Sequence, residues 1–410
     1  MLSQYDEFPV HQASRPFANI PSTDYSWDEG YYFGVFNADE KVYLITGMRI
    51  NPNSDMLGGY AIMNVAGRQY TARFSRCWRQ QMDTVLGPLR YEFLEPLKCI
   101  RITLEPNDSA LSFDITWTGT APPFEEDHHD AEVRGRATTD QTRYSQAGVA
   151  SGFIEFEGKR YTLTADKWGA ERDHSWGLYA DRKPLGGHSE WLPPRPSSDP
   201  AIVRALRFMT MFKAGDWSGF YHIHENSRGE QKKLNDVFGS PFEGLIAEGW
   251  NGRRVHFVAA RHELNFKPGT RLFKGGTVYL TDDQGGIWTH HFEVASPPYV
   301  IQTMGYTAGS WKDGGTMHTY HGSEELAVEW DDFDFSVQPF NYKPYPPSHG
   351  SGKTTDAEIS KDWGLGSGTE TQGLEYLVRM ELIAPDGTRH KGQGHVENFV
   401  HGRYDPYGFK

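Results

Sequence analysis

Apolar and polar residues alternate with a period of two along several parts of the chain, which is typical of half-buried β-strands. Residues 100–105 and 111–117 alternate in this way on the two sides of a polar turn at residues 106–108, so the sequence predicts a β-hairpin there. Helical periodicity is scarce. The same strand–turn–strand pattern recurs three more times, at residues 153–164, 277–294 and from 374 towards the C-terminus. These patterns predict an all-β fold, either a sandwich or a closed barrel.

The length and composition predict two β domains with few helices. One hydrophobic core stops growing at about 250–300 residues, and this chain has 410. Aromatic residues make up 14%, with 44 glycines and 24 prolines, which favours short strands joined by turns. A Pro- and Ser-rich stretch at residues 193–200 indicates a linker, so we place the domains at residues 1–185 and 186–410. Residues 341–368 are polar and rich in Gly and Pro, and we expect a long surface loop or lid there.

Charge and cysteine content narrow the classes of partner and compartment. The net charge is -13 and no dense run of Lys and Arg occurs, so we expect no nucleic-acid partner. Cys77 and Cys99 are too few for a disulfide framework, which favours a reducing compartment. The N-terminal sequence does not resemble a signal peptide, and no apolar run of about 18 residues occurs. The sequence therefore predicts a soluble, cytoplasmic protein without membrane insertion. It does not predict the oligomeric state.

The run from Asp173 to Gly177 is the strongest candidate for chemistry. Successive side chains of an extended strand point to opposite faces, so His174 and Trp176 share one face and Asp173 and Ser175 the other. An imidazole titrates near pH 6.5 and carries protons at neutral pH, and the neighbouring acid would orient it. A bulge would turn Asp173 and His174 to the same side. The alternative is structural: Asp173 caps a turn, His174 is a hydrogen-bonded wall residue and Trp176 fills a core.

A second candidate set follows the strand at residues 217–225. His222 and His224 share one face, and with Tyr221 they are expected to act in catalysis at a pocket. A metal site needs further ligands of suitable geometry, and we identify no ligand spacing that matches a known motif, so no metal is expected. The candidate third ligands are Glu225, Glu230, His256 and His262. The residues expected to bind a substrate are Trp168, Trp176, Glu225, Trp288 and Glu397.

The sequence lacks the motifs of several common classes of enzyme. The sequence has no P-loop, no Gly-x-Gly-x-x-Gly opening a helix, no Gly-x-Ser-x-Gly elbow and no His-Glu-x-x-His helix. We therefore expect no nucleotide cofactor and, more broadly, no cofactor. Paired carboxylates for glycoside cleavage stay open, because their separation in space is not visible in a sequence.

The Asp-Lys-Trp-Gly at residues 166–169 and the Glu-Arg-Asp-His-Ser-Trp-Gly at 171–177 resemble the signature of two-domain, lipocalin-like proteins grouped with the AttH and carotenoid 1,2-hydratase families. Blocks at residues 87–97, 143–148 and 392–398 are similar to regions that accompany this signature in relatives. The resemblance implies two β-barrel-like domains of the calycin sort with a ligand cavity near their interface. It also implies relatives that hydrate an isoprenoid double bond or cyclise polyenes. Asp173, His174 and Trp176 are the site residues that it carries over.

The sequence thus leads to one main hypothesis and two rivals. We expect a cofactor-independent lyase or isomerase that uses acid–base catalysis on a hydrophobic small molecule, isoprenoid-derived or aromatic. His174 would move the proton, and Trp176 with other aromatic residues would hold the apolar body. The first rival is a non-catalytic carrier of a hydrophobic ligand. The second is a metal-dependent enzyme centred on His222 and His224.

Overall fold

The computed structural model describes most of the chain. The described residues are 4–9, 14–133, 135–179, 204–234, 239–306, 309–323, 325–337, 340–342, 345, 363–365 and 373–410. The predicted domain boundary between residues 185 and 186, and the linker at 193–200, lie outside these residues. No helix in the described part is long and apolar enough to cross a membrane.

The described elements are almost entirely β-strands, which confirms the predicted all-β class. Four short 3₁₀ helices span Gln4–Glu7, Pro52–Ser54, Ile301–Met304 and Asp405–Tyr407. The strands, numbered in chain order, are β1 Trp27–Asn37, β2 Val42–Asn51, β3 Met56–Val65, β4 Arg68–Cys77, β5 Val85–Leu86, β6 Leu89–Glu95, β7 Cys99–Leu104, β8 Leu111–Gly119, β9 Phe124–Glu125, β10 His129–Val133, β11 Arg136–Phe156, β12 Lys159–Leu163, β13 Gly169–Tyr179, β14 Arg204–Ala214, β15 Trp217–Asn226, β16 Phe242–Glu248, β17 Arg254–Phe266, β18 Phe273–Asp282, β19 Ile287–Val294, β20 Tyr299–Val300, β21 Ala327–Asp334, β22 Phe340–Tyr342, β23 Trp363–Leu365, β24 Leu374–Ile383 and β25 Arg389–Val400.

The four predicted hairpins are present as β7–β8, β11–β12, β18–β19 and β24–β25, each an antiparallel pair. In the first of them Ile102 lies opposite Ile115, so the two apolar rows face the same side. Alternation joined to a short polar turn was sufficient to locate these pairs. Most of the predicted surface loop or lid at residues 341–368 lies outside the described residues. At its start and near its end, β22 pairs with β23 in a small separate sheet.

The first lobe is a curled, half-barrel sheet of 14 strands. Its main path runs β21-β4-β3-β2-β1-β13-β11-β8-β7-β6-β5, and β9, β10 and β12 also pair with β11. Strand β21 comes from the later part of the chain and pairs with β4 along its whole length. The first lobe therefore contains a strand from beyond residue 186.

The second lobe is a closed barrel of eight strands, β14–β19 with β24 and β25. The barrel closes because β19 pairs with β24 as well as with β18. Closure removes the free sheet edges that an open sheet would expose. The structure thus resolves the choice between sandwich and barrel in favour of a barrel for this lobe.

Apolar clusters mark the core of each lobe and the place where the lobes meet. The barrel interior holds Trp217 and Tyr221, and one face of the curled sheet holds Phe33 and Trp117. A third cluster, between the lobes, combines side chains from β1–β3 with others from residues 295–317 and β24. Burying each such side chain stabilises the fold by about 1.5–3 kcal/mol. The barrel-facing surface of the first sheet is therefore an internal interface.

Candidate functional site

Strand β13 lies at the centre of the first sheet, between β1 and β11. Its register places Tyr31 of β1 and Tyr144 of β11 on the two sides of His174. Cross-strand neighbours in one row share a face of the sheet, so the three rings lie side by side. The pairing runs from Gly169 to Tyr179 without a register shift, which leaves strict alternation along the strand.

The imidazole of His174 is held at both nitrogens. Its Nε2 lies 3.0 Å from Glu29 Oε1, and its Nδ1 lies 3.2 Å from the Tyr144 hydroxyl. The Tyr31 ring stacks on the imidazole with centroids 4.2 Å apart. A carboxylate at one nitrogen and a hydroxyl at the other fix the ring orientation and give it a proton to donate or a lone pair to accept one.

An open aromatic surface surrounds this imidazole. The Trp176 ring lies 5.1 Å from His174 and is 37% exposed, and Phe93 lies 5.4 Å from Tyr31 and is 38% exposed. We call Glu29, Tyr31, Phe93, Tyr144, His174 and Trp176 the His174 site. Its exposed ring faces can bind an apolar molecule and can stabilise a cation by about 0.5–2 kcal/mol each.

A buried cation lies behind Tyr144. The Arg172 guanidinium lies over the Tyr144 ring at 5.0 Å, and its nitrogens donate to Gln146 Oε1 at 2.8 and 3.0 Å. Burial raises the pKa of the Tyr144 hydroxyl, and the positive charge of Arg172 opposes that rise. The hydroxyl is therefore protonated at neutral pH and lies next to a group that stabilises its phenolate.

Asp173 does not lie beside the His174 imidazole. Because alternation is unbroken, its side chain is on the opposite face of the sheet, the face that meets the barrel. There the negative charge of Asp173 raises the pKa of Arg143, although burial of the guanidinium acts to lower that pKa. Glu29, 145 residues away in sequence, supplies the carboxylate that was expected from Asp173. No local pattern in the sequence links Glu29 to His174.

His222 and His224 lie on the outer face of the barrel, turned towards the first sheet. Their rings stack with centroids 4.4 Å apart and an interplanar angle of 10°. The Arg207 guanidinium lies 3.0 Å from His224 Nε2 and forms an ion pair of 2.5 Å with Glu397. Three of the predicted residues, His222, His224 and Glu397, thus lie in one buried polar group. This group and the His174 site lie on opposite faces of the first sheet.

The remaining predicted residues are elsewhere. Tyr221 and Trp288 point into the barrel, where the Tyr221 hydroxyl lies 3.1 Å from His290 Nδ1. Trp168 is buried in the core of the first lobe. Glu225 accepts a hydrogen bond of 2.5 Å from Tyr404 and lies 3.2 Å from His262 Nε2.

A further polar group joins the two lobes and was missed in the sequence. His395 of β25 lies between two carboxylates, with Nδ1 2.9 Å from Glu171 and Nε2 3.2 Å from Glu375. The Tyr43 hydroxyl donates to Glu171 at 2.6 Å, and Tyr32 donates to Glu375 at 3.2 Å. Burial acts to lower the pKa of His395, but the two carboxylates raise it well above its usual value. The only hint in the sequence is that His395 follows the alternation of the closing strand.

A surface hollow of about 420 Å³ lies elsewhere on the molecule, and none of the predicted site residues line it. The residues that line it are Val65, Ala66, Arg68, Asp332, Asp334 and Ser336.

A closed eight-stranded barrel packed on a curled half-barrel sheet defines a two-lobed, all-β protein. The chain belongs to a family of unknown function, DUF8625, whose model matches residues 2–340. No curated protein matches the sequence.

Solved structures similar to this chain belong to the AttH-like group that the sequence resembles. One is a putative AttH from Nitrosomonas europaea, with 10% identity, a TM-score of 0.47, and coverage of 96% of this chain and 99% of that one. Another is kievitone hydratase from Nectria haematococca, with 9% identity, a TM-score of 0.41 and coverage of 92% and 90%. A third is CghA with Sch210972, with 9% identity, a TM-score of 0.43 and coverage of 92% and 89%.

Proposed function

We propose that this protein is a cofactor-independent, hydratase-like lyase that acts on a hydrophobic small molecule at the His174 site. One observation carries the proposal: the His174 imidazole lies between the Glu29 carboxylate and the Tyr144 hydroxyl, on a surface of partly exposed aromatic rings. An acid–base pair next to apolar ring faces is what proton transfer to an apolar substrate requires. We also propose a cytoplasmic location.

Each side chain has a defined role in the hydration direction. Tyr144 donates its proton to a carbon of the substrate double bond, and the resulting cation lies against the faces of Tyr31 and Trp176. Water adds to the cation and loses a proton to His174 Nδ1. That proton returns to the Tyr144 oxygen, which Arg172 stabilises while it is negatively charged. Glu29 accepts a hydrogen bond from Nε2 throughout and keeps the ring in one orientation.

The aromatic surface also indicates the class of substrate. Tyr31, Phe93 and Trp176 offer ring faces and few hydrogen-bonding groups, so they favour flat or branched apolar molecules over sugars. We propose isoprenoid-derived or aromatic alkenes. A positioned acid or base contributes about 10²- to 10⁴-fold in rate. Removing either Tyr144 or His174 as a proton carrier should therefore lower the rate by a factor in this range.

The test uses a panel of isoprenoid and aryl alkenes incubated in ¹⁸O-labelled water, with mass spectrometry of the products. We expect the wild-type protein to form an alcohol that carries the label. His174→Gln and Tyr144→Phe should each lower the rate by about 10²-fold or more. His291→Gln, a change of an exposed histidine on the barrel, is the matched control and should retain the wild-type rate.

Two outcomes contradict the proposal. If His174→Gln stays folded and turns over a substrate at the wild-type rate, His174 is not the proton carrier. If a panel compound binds one to one, is recovered unreacted and binds equally to Tyr144→Phe, the protein is a carrier.

A further inference from the structure

The place where the β9–β10 connection meets the barrel brings together three ligand-type side chains from both lobes. Glu126 comes from the first lobe, and His222 of β15 and Glu243 of β16 come from the second. One ring nitrogen of His222 and one carboxylate oxygen from each glutamate lie within 4.8 Å of one another. Glu126 is 6% exposed, His222 is fully buried, and the Glu243 side chain is 11% exposed. We call these three residues the Glu126 cluster.

The backbone around the cluster is held by several hydrogen bonds. The Asp127 N–H donates to Glu243 Oε2 at 2.9 Å, and the Ser240 hydroxyl donates to the Asp127 carboxylate. Ser145 donates to Glu126 Oε1 at 2.6 Å. These contacts fix the positions of Glu126 and Glu243 before any ligand binds.

Two buried ligand atoms of the cluster have no hydrogen-bond partner among the described residues. His222 Nε2 donates to the Ser240 carbonyl at 3.0 Å, and Nδ1 is left bare. Glu243 Oε1 lies 3.5 Å from His222 Nε2 and is also without a hydrogen bond. A buried polar atom without a partner costs about 1–3 kcal/mol. A neutral histidine binds a metal through one ring nitrogen. His222 would bind the ion through the unpaired Nδ1, or through Nε2, the nitrogen 3.5 Å from Glu243 Oε1, in exchange for its bond to Ser240.

The charged groups around the cluster leave room for a bound cation. Glu126 and Glu243 each bring a carboxylate oxygen within 4.8 Å of the other, away from water. His129 Nε2 lies 3.5 Å from Glu126 Oε2 on the other side. A divalent ion would bind both carboxylates together with the imidazole of His222.

We propose that Glu126, His222 and Glu243 bind one divalent metal ion of the zinc class and that the ion clamps the two lobes together. One imidazole and two carboxylates match the ligands of Zn²⁺, whereas Mg²⁺ and Ca²⁺ prefer an all-oxygen site. Tetrahedral zinc separates its ligand atoms by about 3.3 Å, so small side-chain rotations close the cluster around the ion. Water completes the coordination.

The clamp is independent of the hydratase proposal, because the cluster lies on the barrel side of the first sheet. It also differs from a metal centre built on His222 and His224 as a pair. His224 stacks on His222 but lies against Arg207, 3.0 Å from its guanidinium. Only His222 of that pair belongs to the cluster.

The experiment uses the full chain, freed of metal with a chelator, then titrated with zinc chloride or magnesium chloride. Metal content by mass spectrometry and the thermal midpoint are measured for wild type, Glu243→Gln, His222→Gln and the control His128→Gln. His128 is exposed and pairs with Asp140 on the surface, two positions from Glu126. Glu243→Gln places an uncharged side chain beside Glu126 and keeps an acceptor for the Asp127 N–H, so its fold without metal should be at least as stable as wild type.

We expect wild type and His128→Gln to bind one zinc per chain, with a rise in thermal midpoint of about 4 °C at saturating zinc. Glu243→Gln and His222→Gln should bind none and show no rise. Wild type without stoichiometric zinc, an equal response to magnesium, or a full zinc response in folded Glu243→Gln would each overturn the proposal.

Discussion

His290 gives a quantitative test of the barrel core. The ring is fully buried, with Nδ1 3.1 Å from the Tyr221 hydroxyl and Nε2 3.1 Å from Met380 Sδ. Phe212 and Phe292 pack on it with ring centroids at 4.4 and 4.2 Å. Burial, helped by the neighbouring His291, lowers the pKa of His290 from 6.5 to about 3. The folded protein therefore holds this histidine neutral over most of the acid range.

The size of the effect follows from linkage. Between pH 6.5 and about 3 the unfolded chain binds a proton on His290 and the folded chain does not, so stability falls as the pH falls. Each tenfold change in proton concentration in this window is worth about 1.4 kcal/mol. At pH 4.5 the loss is about 3 kcal/mol relative to pH 7.5, and it approaches about 5 kcal/mol near pH 3.

The assay is urea unfolding of wild type and His290→Gln at pH 7.5 and 4.5. Gln keeps a hydrogen-bonding group near Tyr221 but does not titrate. We expect wild type to lose about 3 kcal/mol more than the variant between the two pH values. His291→Gln, on the adjacent exposed position, removes only the smaller cause of the shift, so its pH dependence should stay close to that of wild type. Equal pH dependence in wild type and His290→Gln would refute the placement of a neutral imidazole in the barrel core.

Two substitutions probe the first lobe by urea unfolding at pH 7. Asp28→Asn removes the carboxylate 2.7 Å from Arg49, with both side chains at 2% exposure or less, so a loss of about 3–5 kcal/mol is expected. A loss below about 1 kcal/mol would contradict this. Gly177→Ala places a Cβ 2.2 Å from the Asp140 carbonyl at a φ of +128°. It should cost clearly more than Gly158→Ala, at a φ of +77° with nothing within 4 Å, whose cost is about 1 kcal/mol; equal losses would exclude the clash.

Period-two alternation along the sequence predicted the features that depend on neighbouring residues, namely the hairpins and the face on which each side chain lies. Alternation with short turns located all four hairpins, and the same alternation assigned His174 and Trp176 to one face, where their rings lie 5.1 Å apart. Alternation also separates Tyr221 from His222, because adjacent residues of β15 point to opposite sides of the barrel wall. That consequence of the pattern was missed when Tyr221 and His222 were assigned to one site.

Contacts between distant parts of the chain were not predictable in this way. Glu29 reaches His174 from β1, and His395 reaches Glu171 from the last strand. Closure of the barrel through β19 and β24 joins strands some 80 residues apart, and period-two alternation is the same in a sandwich and in a barrel. Such pairings are set by tertiary packing, for which a single sequence carries no periodic signal.

The pairing of β21 with β4 affects how this protein can be made. A ribosome releases the N-terminal strands first, but β4 obtains its outer neighbour only after residue 334 has emerged. The barrel is completed later still, because β14 pairs with β25, the last strand of the barrel along the chain. The first lobe therefore completes its hydrogen bonding only after residue 334 has emerged and the barrel only after residue 400, and until then a nascent chain must keep open sheet edges apart from other chains.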